Sequence, residues 1–306
     1  MRHFIDQIRW KASKSTDKLA STVGLHGAHL EMILAGLPEC LVQLQAEGRQ
    51  CVSTGELRHR LGVSKPALAA SLTRQLQNGA LARLHPGFYV LLRPEDRVYG
   101  LPDPLQWLDP LMVFLGNDYR VSLWRSAALH GSSHQAAMAV QVVTPRELRP
   151  IQLGRVRVTF LYQQPAAFAQ VNCSPWIKKF TTPQGYTTVA GVELTLADCL
   201  HYVNQLGGID HAAQIIKDLA DQIDPNRLYA LALLLQNTLV RRLGYLLSVM
   251  GHPTLATVLE PFAKRSRSWI PLAPREAEPL VAGAASAPSR DPTWKLILNH
   301  TLELDD

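Results

Sequence analysis

The sequence predicts an α+β protein: an N-terminal winged helix-turn-helix, followed by a larger mixed α/β C-terminal domain with a long central helix. In the first third of the chain, three helix patterns lead into a short hairpin. Beyond residue 119, alternating apolar runs are followed by long helical patterns. A chain of 306 residues with 47% hydrophobic content is large enough to bury two cores.

Four segments follow from this pattern. We expect a basic arm or helix over residues 1–30, a winged helix-turn-helix over 31–94, a linker over 95–118 and a C-terminal domain over 119–306. The basic arm is consistent with either a solvated helix or a segment that tracks DNA.

Three consecutive helices are predicted within residues 38–79. The first begins at Pro38, and the second at Ser53, which has the capping-box spacing to Glu56. Ser64 is the expected cap of the third helix. The inward face of the third helix is a stripe of leucines repeating every four residues: Leu68, Leu72 and Leu76.

The stretch ARLHPGFYVL, residues 82–91, predicts a hairpin. Pro86 and Gly87 suit the second and third positions of a type II turn. Two strands alone bury too little apolar surface to persist in water, so the hairpin must pack on the leucine stripe. Helix, helix, short glycine turn, helix and hairpin is the order of a winged helix-turn-helix.

The positive charge of the chain is concentrated in this region. Through Arg93 the chain carries 12 basic and 6 acidic residues, and the remainder carries 19 of each. A localised excess of this kind indicates a polyanionic partner. Together with the predicted recognition helix it favours double-stranded DNA.

The predicted DNA-binding residues lie on the outward face of the third helix and beside it. Alanines permit close approach to the bases, Arg74 suits a guanine edge or a phosphate, and the flanking basic groups suit the DNA backbone. The alternatives are a protein-binding winged helix and a merely solvated face. The set comprises Ser64, Lys65, Ala67, Ala70, Thr73, Arg74, Arg49, Arg58, Arg60, Arg83 and His85.

The second region predicts strands and helices. AVQVVT and VRVTFLY are strand patterns, and WKLILN near the end of the chain predicts a buried strand. Thr195 and Asp210 are expected helix caps. Asp224, Pro225 and Gly251 bracket the predicted central helix, which is apolar on nearly all sides over roughly 26 residues, or about 39 Å.

This region contains six short motifs whose order and spacing resemble those of the AbiEi family. The motifs are Ser122-Leu123, Leu129-His130-Gly131, Glu193-x-Thr195-Leu196-x-Asp198, Gly207-Gly208, Arg242-Leu243-Gly244-Tyr245-Leu246-Leu247 and Trp294-x-Leu296-x-x-Asn299. The resemblance implies a repressor of its own operon that binds operator DNA. It also implies an antitoxin that counteracts a nucleotidyltransferase-like toxin without a stable complex.

Candidate chemical groups in the second region are few. Asp198 with His201, and His130 with His134, have spacings that a metal could use, but isolated pairs without a third ligand favour structural roles. Arg241 and Arg242 suit a phosphate, although a solvated pair near a helix end is the more common arrangement. Asp198, Arg241 and Arg242 are therefore the antitoxin-domain candidates.

No catalytic residue, metal or cofactor is predicted, because no phosphate-binding or nucleophile motif occurs in the sequence. A nucleic-acid-processing enzyme targeted by a winged helix and a ligand-sensing repressor remain the alternatives. The four separated cysteines indicate reduced thiols. With no export signal or membrane-length apolar run, we expect a cytoplasmic protein.

Overall fold

The computed structural model describes residues 36–96, 100–132, 139–274 and 289–304. The predicted basic arm and His134 lie outside these residues. The chain forms two compact units, Met1–Pro102 and Asp103–Asp306.

Unit 1 contains the three predicted helices and the hairpin. Its sheet is antiparallel with the order β1-β3-β2. The elements are α1 (Leu37–Ala46), β1 (Cys51–Ser53), α2 (Thr54–Leu61), α3 (Lys65–Gln77), β2 (Leu81–His85) and β3 (Phe88–Leu91).

Helix α2 begins as predicted at Ser53, whose Oγ accepts a hydrogen bond from the Glu56 amide at 3.1 Å. The reciprocal half of the capping box is absent, and that prediction was wrong. The Glu56 carboxylate instead pairs with Arg49 at 3.1 Å and Arg60 at 3.4 Å. Two guanidinium groups within reach hold this carboxylate more strongly than one backbone amide does.

Strand β3 of the hairpin is the central strand of a three-stranded sheet, because the short strand β1 also pairs with it. Every residue of β3 is buried. Tyr89 and Leu91 pack in one cluster with Leu68 and Leu72, so the hairpin does cover the leucine stripe. Gly87 has φ +84°, the conformation expected of a glycine at its turn position.

Unit 2 is organised around a six-stranded mixed sheet of order β6-β7-β5-β4-β9-β8. Its strands are β4 (Arg120–Ser122), β5 (Ala139–Thr144), β6 (Ile151–Leu153), β7 (Val156–Tyr162), β8 (Ile177–Thr182) and β9 (Gly185–Ala190). The predicted strands AVQVVT and VRVTFLY are β5 and β7, which pair in parallel. A second sheet of order β10-β12-β11 joins β10 (Ile270–Pro271), β11 (Ser289–Asp291) and β12 (Leu296–Leu298).

The helices of unit 2 lie between and after these strands. They are α4 (Pro104–Leu115), α5 (Leu123–Leu129), α6 (Pro165–Val171), α7 (Val192–His201), α8 (Val203–Leu206), α9 (Ile209–Leu219), α10 (Pro225–Ala232), α11 (Asn237–Val249) and α12 (Pro253–Lys264). Among the described residues, no helix is both long and apolar enough to cross a membrane.

The stretch predicted as a linker, residues 95–118, contains a packed helix. Helix α4 buries Trp107, Leu108 and Leu111 almost completely. Its first turn is capped by Asp103, whose carboxylate accepts from the Leu105 amide at 2.9 Å. Asp103 and Pro104 are therefore the start of a helix within this stretch.

The long central helix predicted from Asp224 to Gly251 is two helices, α10 and α11, separated by residues 233–236. Gln236 has an extended conformation and precedes α11. The Asn237 side chain donates to the Phe262 carbonyl at 2.8 Å, which ties the start of α11 to α12. The polar residues 236–238 mark this break in the apolar run.

The helix at the centre of unit 2 is α7, in which every residue from Val192 to Leu200 is buried. It begins after Gly191, so Thr195 lies within the helix and does not cap it. Helix α9 likewise begins after Gly208, with Asp210 inside its first turn. Both predicted caps were wrong: the helices begin after glycines, and the two side chains bond to other segments, Thr195 to Ser126 and Asp210 to His300.

Candidate functional site

The outward face of α3 carries the predicted DNA-contacting residues, and all of them are exposed. They are Ser64, Lys65, Ala67, Ala70, Thr73 and Arg74. On the opposite face, Leu68 and Leu72 are buried and Leu76 is partly buried. The helix therefore presents a continuous polar and small-residue surface on a fixed apolar base.

The N-terminal end of α3 retains groups that can bind an anion. Ser64 occupies the N-cap position with an extended backbone, but its side chain makes no capping hydrogen bond. The first backbone N–H groups of the helix have no intrahelical acceptor, and the helix dipole adds positive potential there. Lys65 follows directly and is exposed.

The flanking basic residues fall into two groups. Arg49 pairs with Glu56, and Arg60 pairs with Glu47 at 3.0 Å. The second group, whose side chains make no ion pair with another described residue, comprises Arg58, Lys65, Arg74 and Arg83. His85 is exposed, and its ring Nδ1 lies 3.1 Å from the Pro86 carbonyl.

Asp198, a candidate of the second region, is the acceptor of a buried polar cluster. Its two carboxylate oxygens each accept from the Arg120 guanidinium at 2.8 Å, and Ser122 donates at 2.7 Å. Arg120 also donates to Gln163 at 2.8 Å and lies 5.3 Å from the Phe168 ring centre. This bidentate pair is enclosed, with side-chain exposures of 0% and 4%. It leaves no open ligand position for a metal.

His130 and His201, the two described histidines with metal-like spacings, have structural surroundings. His201 is exposed, and its ring packs edge-on against Tyr202. His130 ends the turn after α5, and its ring N–H donates to the Ala190 carbonyl at 2.7 Å. Burial lowers the pKa of His130, which favours the neutral form of this ring. No group of three or more potential metal-binding residues occurs in the described ranges.

Arg241 and Arg242 are buried at the start of α11, contrary to the expectation of a solvated pair near a helix end. Arg241 donates to the carbonyls of Trp294 at 2.8 Å and Ser268 at 2.9 Å, and also to that of Lys295. Arg242 donates to the Pro271 carbonyl at 3.1 and 3.2 Å. Their guanidinium groups fasten the second sheet to α11 and are not available to a phosphate.

Other residues of the six family-like motifs also make hydrogen bonds to distant parts of unit 2. Glu193 accepts from the Asp224 amide at 3.0 Å and pairs with Arg227 at 3.1 Å. Thr195 bonds with Ser126 at 2.7 Å. Asn299 makes two hydrogen bonds to the Ala273 backbone. The motifs therefore mark the internal framework of the domain.

Sequence reasoning missed Arg120 and Ser122 as the partners of Asp198, and Gln163 as a further partner of Arg120. Arg120 and Ser122 lie 78 and 76 residues from Asp198, so no local spacing reveals these contacts. One signal in the sequence pointed to a buried ion pair. Asp198 lies in a strongly apolar helix, and a buried carboxylate needs a cationic or hydrogen-bonding partner.

Two family profiles match the chain. One, described as the AbiEi antitoxin C-terminal domain, covers residues 120–249, and the other, described as a transcriptional regulator, AbiEi antitoxin, covers residues 41–92. Each match lies within one unit, so the molecule is a transcriptional regulator joined to an antitoxin domain. Together the matches span more than half of the 306 residues. The chain belongs to the AbiEi family.

A solved structure supports the fold. The chain is similar to the crystal structure of the RV2827C protein from Mycobacterium tuberculosis, with a TM-score of 0.56 and 18% sequence identity. The alignment covers 84% of this chain and 89% of that one. No curated protein matches the chain.

Proposed function

We propose that unit 1 is a winged helix-turn-helix that binds operator DNA and represses the operon encoding this chain. The observation that carries this proposal is the α3 surface, where small and polar side chains are exposed over a packed leucine stripe. In this class of domain the corresponding helix enters the major groove. The β2–β3 hairpin is then the wing, with Arg83 and His85 close to its tip.

The proposed DNA contacts are of two kinds, to base edges and to phosphates. Arg74 is assigned to a base edge because it lies along the helix face and makes no ion pair with another described residue. Ser64 and Lys65, at the helix start, are assigned to a phosphate, as are Arg58 and Arg83. Ala67 and Ala70 allow close approach to the groove, and Thr73 is assigned to the same surface. Arg49 reaches the DNA only by exchanging its Glu56 partner for a phosphate.

We further propose that unit 2 is a non-catalytic antitoxin domain that counteracts a nucleotidyltransferase-like toxin. The proposal rests on the match to the antitoxin domain and on the placement of the candidate polar residues. Asp198, Arg241 and Arg242 are all satisfied by internal partners, so their roles are to shape the domain. A nucleic-acid-processing enzyme would need exposed reactive groups that converge, and none of these three side chains qualifies.

Operator binding by the full chain tests the first proposal. Arg74→Ala should weaken binding by about 1–3 kcal/mol and relax specificity at one base position. Lys65→Ala should weaken binding to all sequences and reduce the slope of log affinity against log salt by about one unit. Gel-shift titrations over a range of salt concentrations measure both effects.

Arg155→Ala, an exposed substitution in unit 2, is the matched control and should bind like the unmodified chain. The assignment of α3 as the recognition helix is overturned if all three variants bind the operator equally well. Expression of the neighbouring gene, alone and beside this chain, tests the antitoxin proposal through rescue of growth.

A further inference from the structure

A cavity of about 540 Å³ lies in unit 2 beside the C-terminal end of α4. Its walls come from α4, the segment leading into β4, the helix α6, and the strands β8 and β9. This volume falls in the range of sites that bind small molecules in other proteins, roughly 300–1,000 Å³. The cavity is separate from the Arg120–Asp198 pair, which is fully enclosed.

Two polar atoms of the cavity residues have no hydrogen-bond partner in the described part of the chain. They are Nδ2 of Asn117, a donor, and Oδ1 of Asn172, an acceptor, and both are buried. Buried polar atoms are nearly always paired in folded proteins, and an unpaired one is destabilising. Both side chains belong to the cavity lining, so a bound ligand is a candidate partner for these atoms.

A third polar group of the cavity, the Asp109 carboxylate, is held in a fixed orientation. The Tyr119 hydroxyl donates to Asp109 Oδ1 at 2.9 Å and accepts from the Thr188 amide at 3.1 Å. Burial raises the pKa of Tyr119 to about 12, so the hydroxyl remains a donor. The second oxygen of Asp109, Oδ2, has no donor among the described residues.

The negative charge of the lining residues determines the charge of the ligand that the cavity can bind. Asp109 and Asp118 supply two carboxylates, and no lysine, arginine or histidine lines the cavity. Phosphate and carboxylate ligands would be repelled, because nothing in the lining neutralises them. A cation with N–H groups satisfies the acceptors and gains Coulombic attraction.

We propose that this cavity binds a small organic cation of the amine or guanidinium class. Its N–H groups donate to Asp109 and to Oδ1 of Asn172, and Asp118 at the mouth adds attraction. The amide of Asn117 donates to an acceptor atom on the ligand where there is one. Such a site goes beyond repression and toxin antagonism, and it stands whether or not the proposed function holds.

Calorimetric titration of the full chain tests the site. The probes are arginine, agmatine and spermidine, with citrulline as the analogue of arginine that lacks the side-chain charge and adenosine monophosphate as an anionic probe. All are measured at constant ionic strength set with potassium chloride. We expect saturable binding of at least one cation in the millimolar range or tighter, and no binding of citrulline or adenosine monophosphate.

Three variants, one of them a control, test whether the binding occurs in this cavity. Asp109→Asn retains an acceptor for Tyr119 but removes the charge, and it should weaken cation binding tenfold or more. Asp221→Asn makes the same change on a side chain that is 95% exposed, and it should leave binding unaltered. Ala169→Trp, at an exposed position of α6 on the cavity wall, should abolish binding by filling the space without altering the core.

The proposal is overturned by the absence of saturable binding with all three cations. It is equally overturned if Asp109→Asn and Asp221→Asn have the same effect, or if Ala169→Trp still binds. Thermal unfolding of each variant without ligand establishes that a loss of binding reports on the cavity and not on folding.

Discussion

At the residue scale, Asp198 and Arg120 show how unit 2 accommodates charge inside an apolar core. The helix that carries Asp198 is buried along almost its whole length, and the carboxylate is satisfied by Arg120 and Ser122. Burying both charges is costly, and the bidentate geometry offsets that cost. The pair connects β4 to α7, two elements distant in sequence, and so specifies their packing.

Removal of one partner of this pair should destabilise unit 2 strongly. Asp198→Ala leaves the Arg120 guanidinium buried without a counter-charge, and we expect a loss of about 3–5 kcal/mol in the free energy of unfolding. Urea denaturation followed by tryptophan fluorescence measures it. The double variant Arg120→Met with Asp198→Leu should recover much of the loss, since it removes both charges together. A loss below about 1 kcal/mol for Asp198→Ala would contradict this account.

Arg83 is the residue through which the hairpin is expected to contact DNA. It is exposed on β2, opposite Tyr89 and close to the Pro86-Gly87 turn. Arg83→Ala should weaken operator binding by about 1.5–3 kcal/mol, the scale of a hydrogen bond to a charged group. The melting temperature should be nearly unchanged, because the side chain is exposed. Affinity equal to that of the unmodified chain at low salt would place the hairpin tip away from the DNA.

At the element scale, α11 packs closely against the second sheet and is hydrogen-bonded to it. Arg241 donates to the carbonyl of Trp294, just before β12, and Arg242 donates to that of Pro271 in β10. Trp294 lies on α11 at Gly244, where a Cβ atom would stand 2.1 Å from the indole ring. The glycine is required for this close approach, and its helical conformation is ordinary. The final segment of the chain is thus a necessary part of unit 2.

Gly244→Ala should therefore displace Trp294 and loosen the second sheet. Overpacking of this kind costs about 1–3 kcal/mol or more, and we expect a lower melting temperature by circular dichroism. Gly55→Ala in α2 is the matched control. A Cβ at Gly55 would meet its nearest atom, Ser53 Oγ, at 3.7 Å, which is ordinary contact. That variant should be neutral or stabilised by at most about 1 kcal/mol. Equal melting temperatures for the two variants would argue against the close packing at Gly244.

At the scale of the whole molecule, the two units divide the charge and the expected functions. The positive excess precedes Arg93, and each family match lies within one unit. Unit 1 has its own apolar cluster, which joins its helices to Tyr89 and Leu91 of the hairpin. Unit 2 has a much larger one, formed by its helices, its six-stranded sheet and Trp294.

Separation of the units should separate the functions. A fragment of residues 103–306 should neutralise the toxin but lose operator binding, because the α3 surface and the hairpin lie in unit 1. The fragment must begin at Asp103, since this residue caps α4 and pairs with Arg125. Growth rescue and a promoter–reporter assay measure the two activities. Promoter repression by this fragment would place the DNA-binding surface in unit 2.

The sequence by itself determined the local elements and the region of positive charge. Ser53, the leucine stripe of α3, the Pro86-Gly87 turn and the β5 and β7 strands were predictable because their signals lie within a few residues. The same holds for the exposed face of α3, since helical periodicity fixes which side chains face outward once the apolar face is known.

Only the tertiary structure decided which residues share a core and where polar groups find partners. The break at residues 233–236, the central position of α7, the burial of Arg241 and Arg242, and the pairing of Asp198 with Arg120 all depend on contacts between distant segments. An apolar run is compatible with one helix or two. A buried charge is tolerated only where folding brings a partner to it, and the position of that partner is not encoded in local spacing.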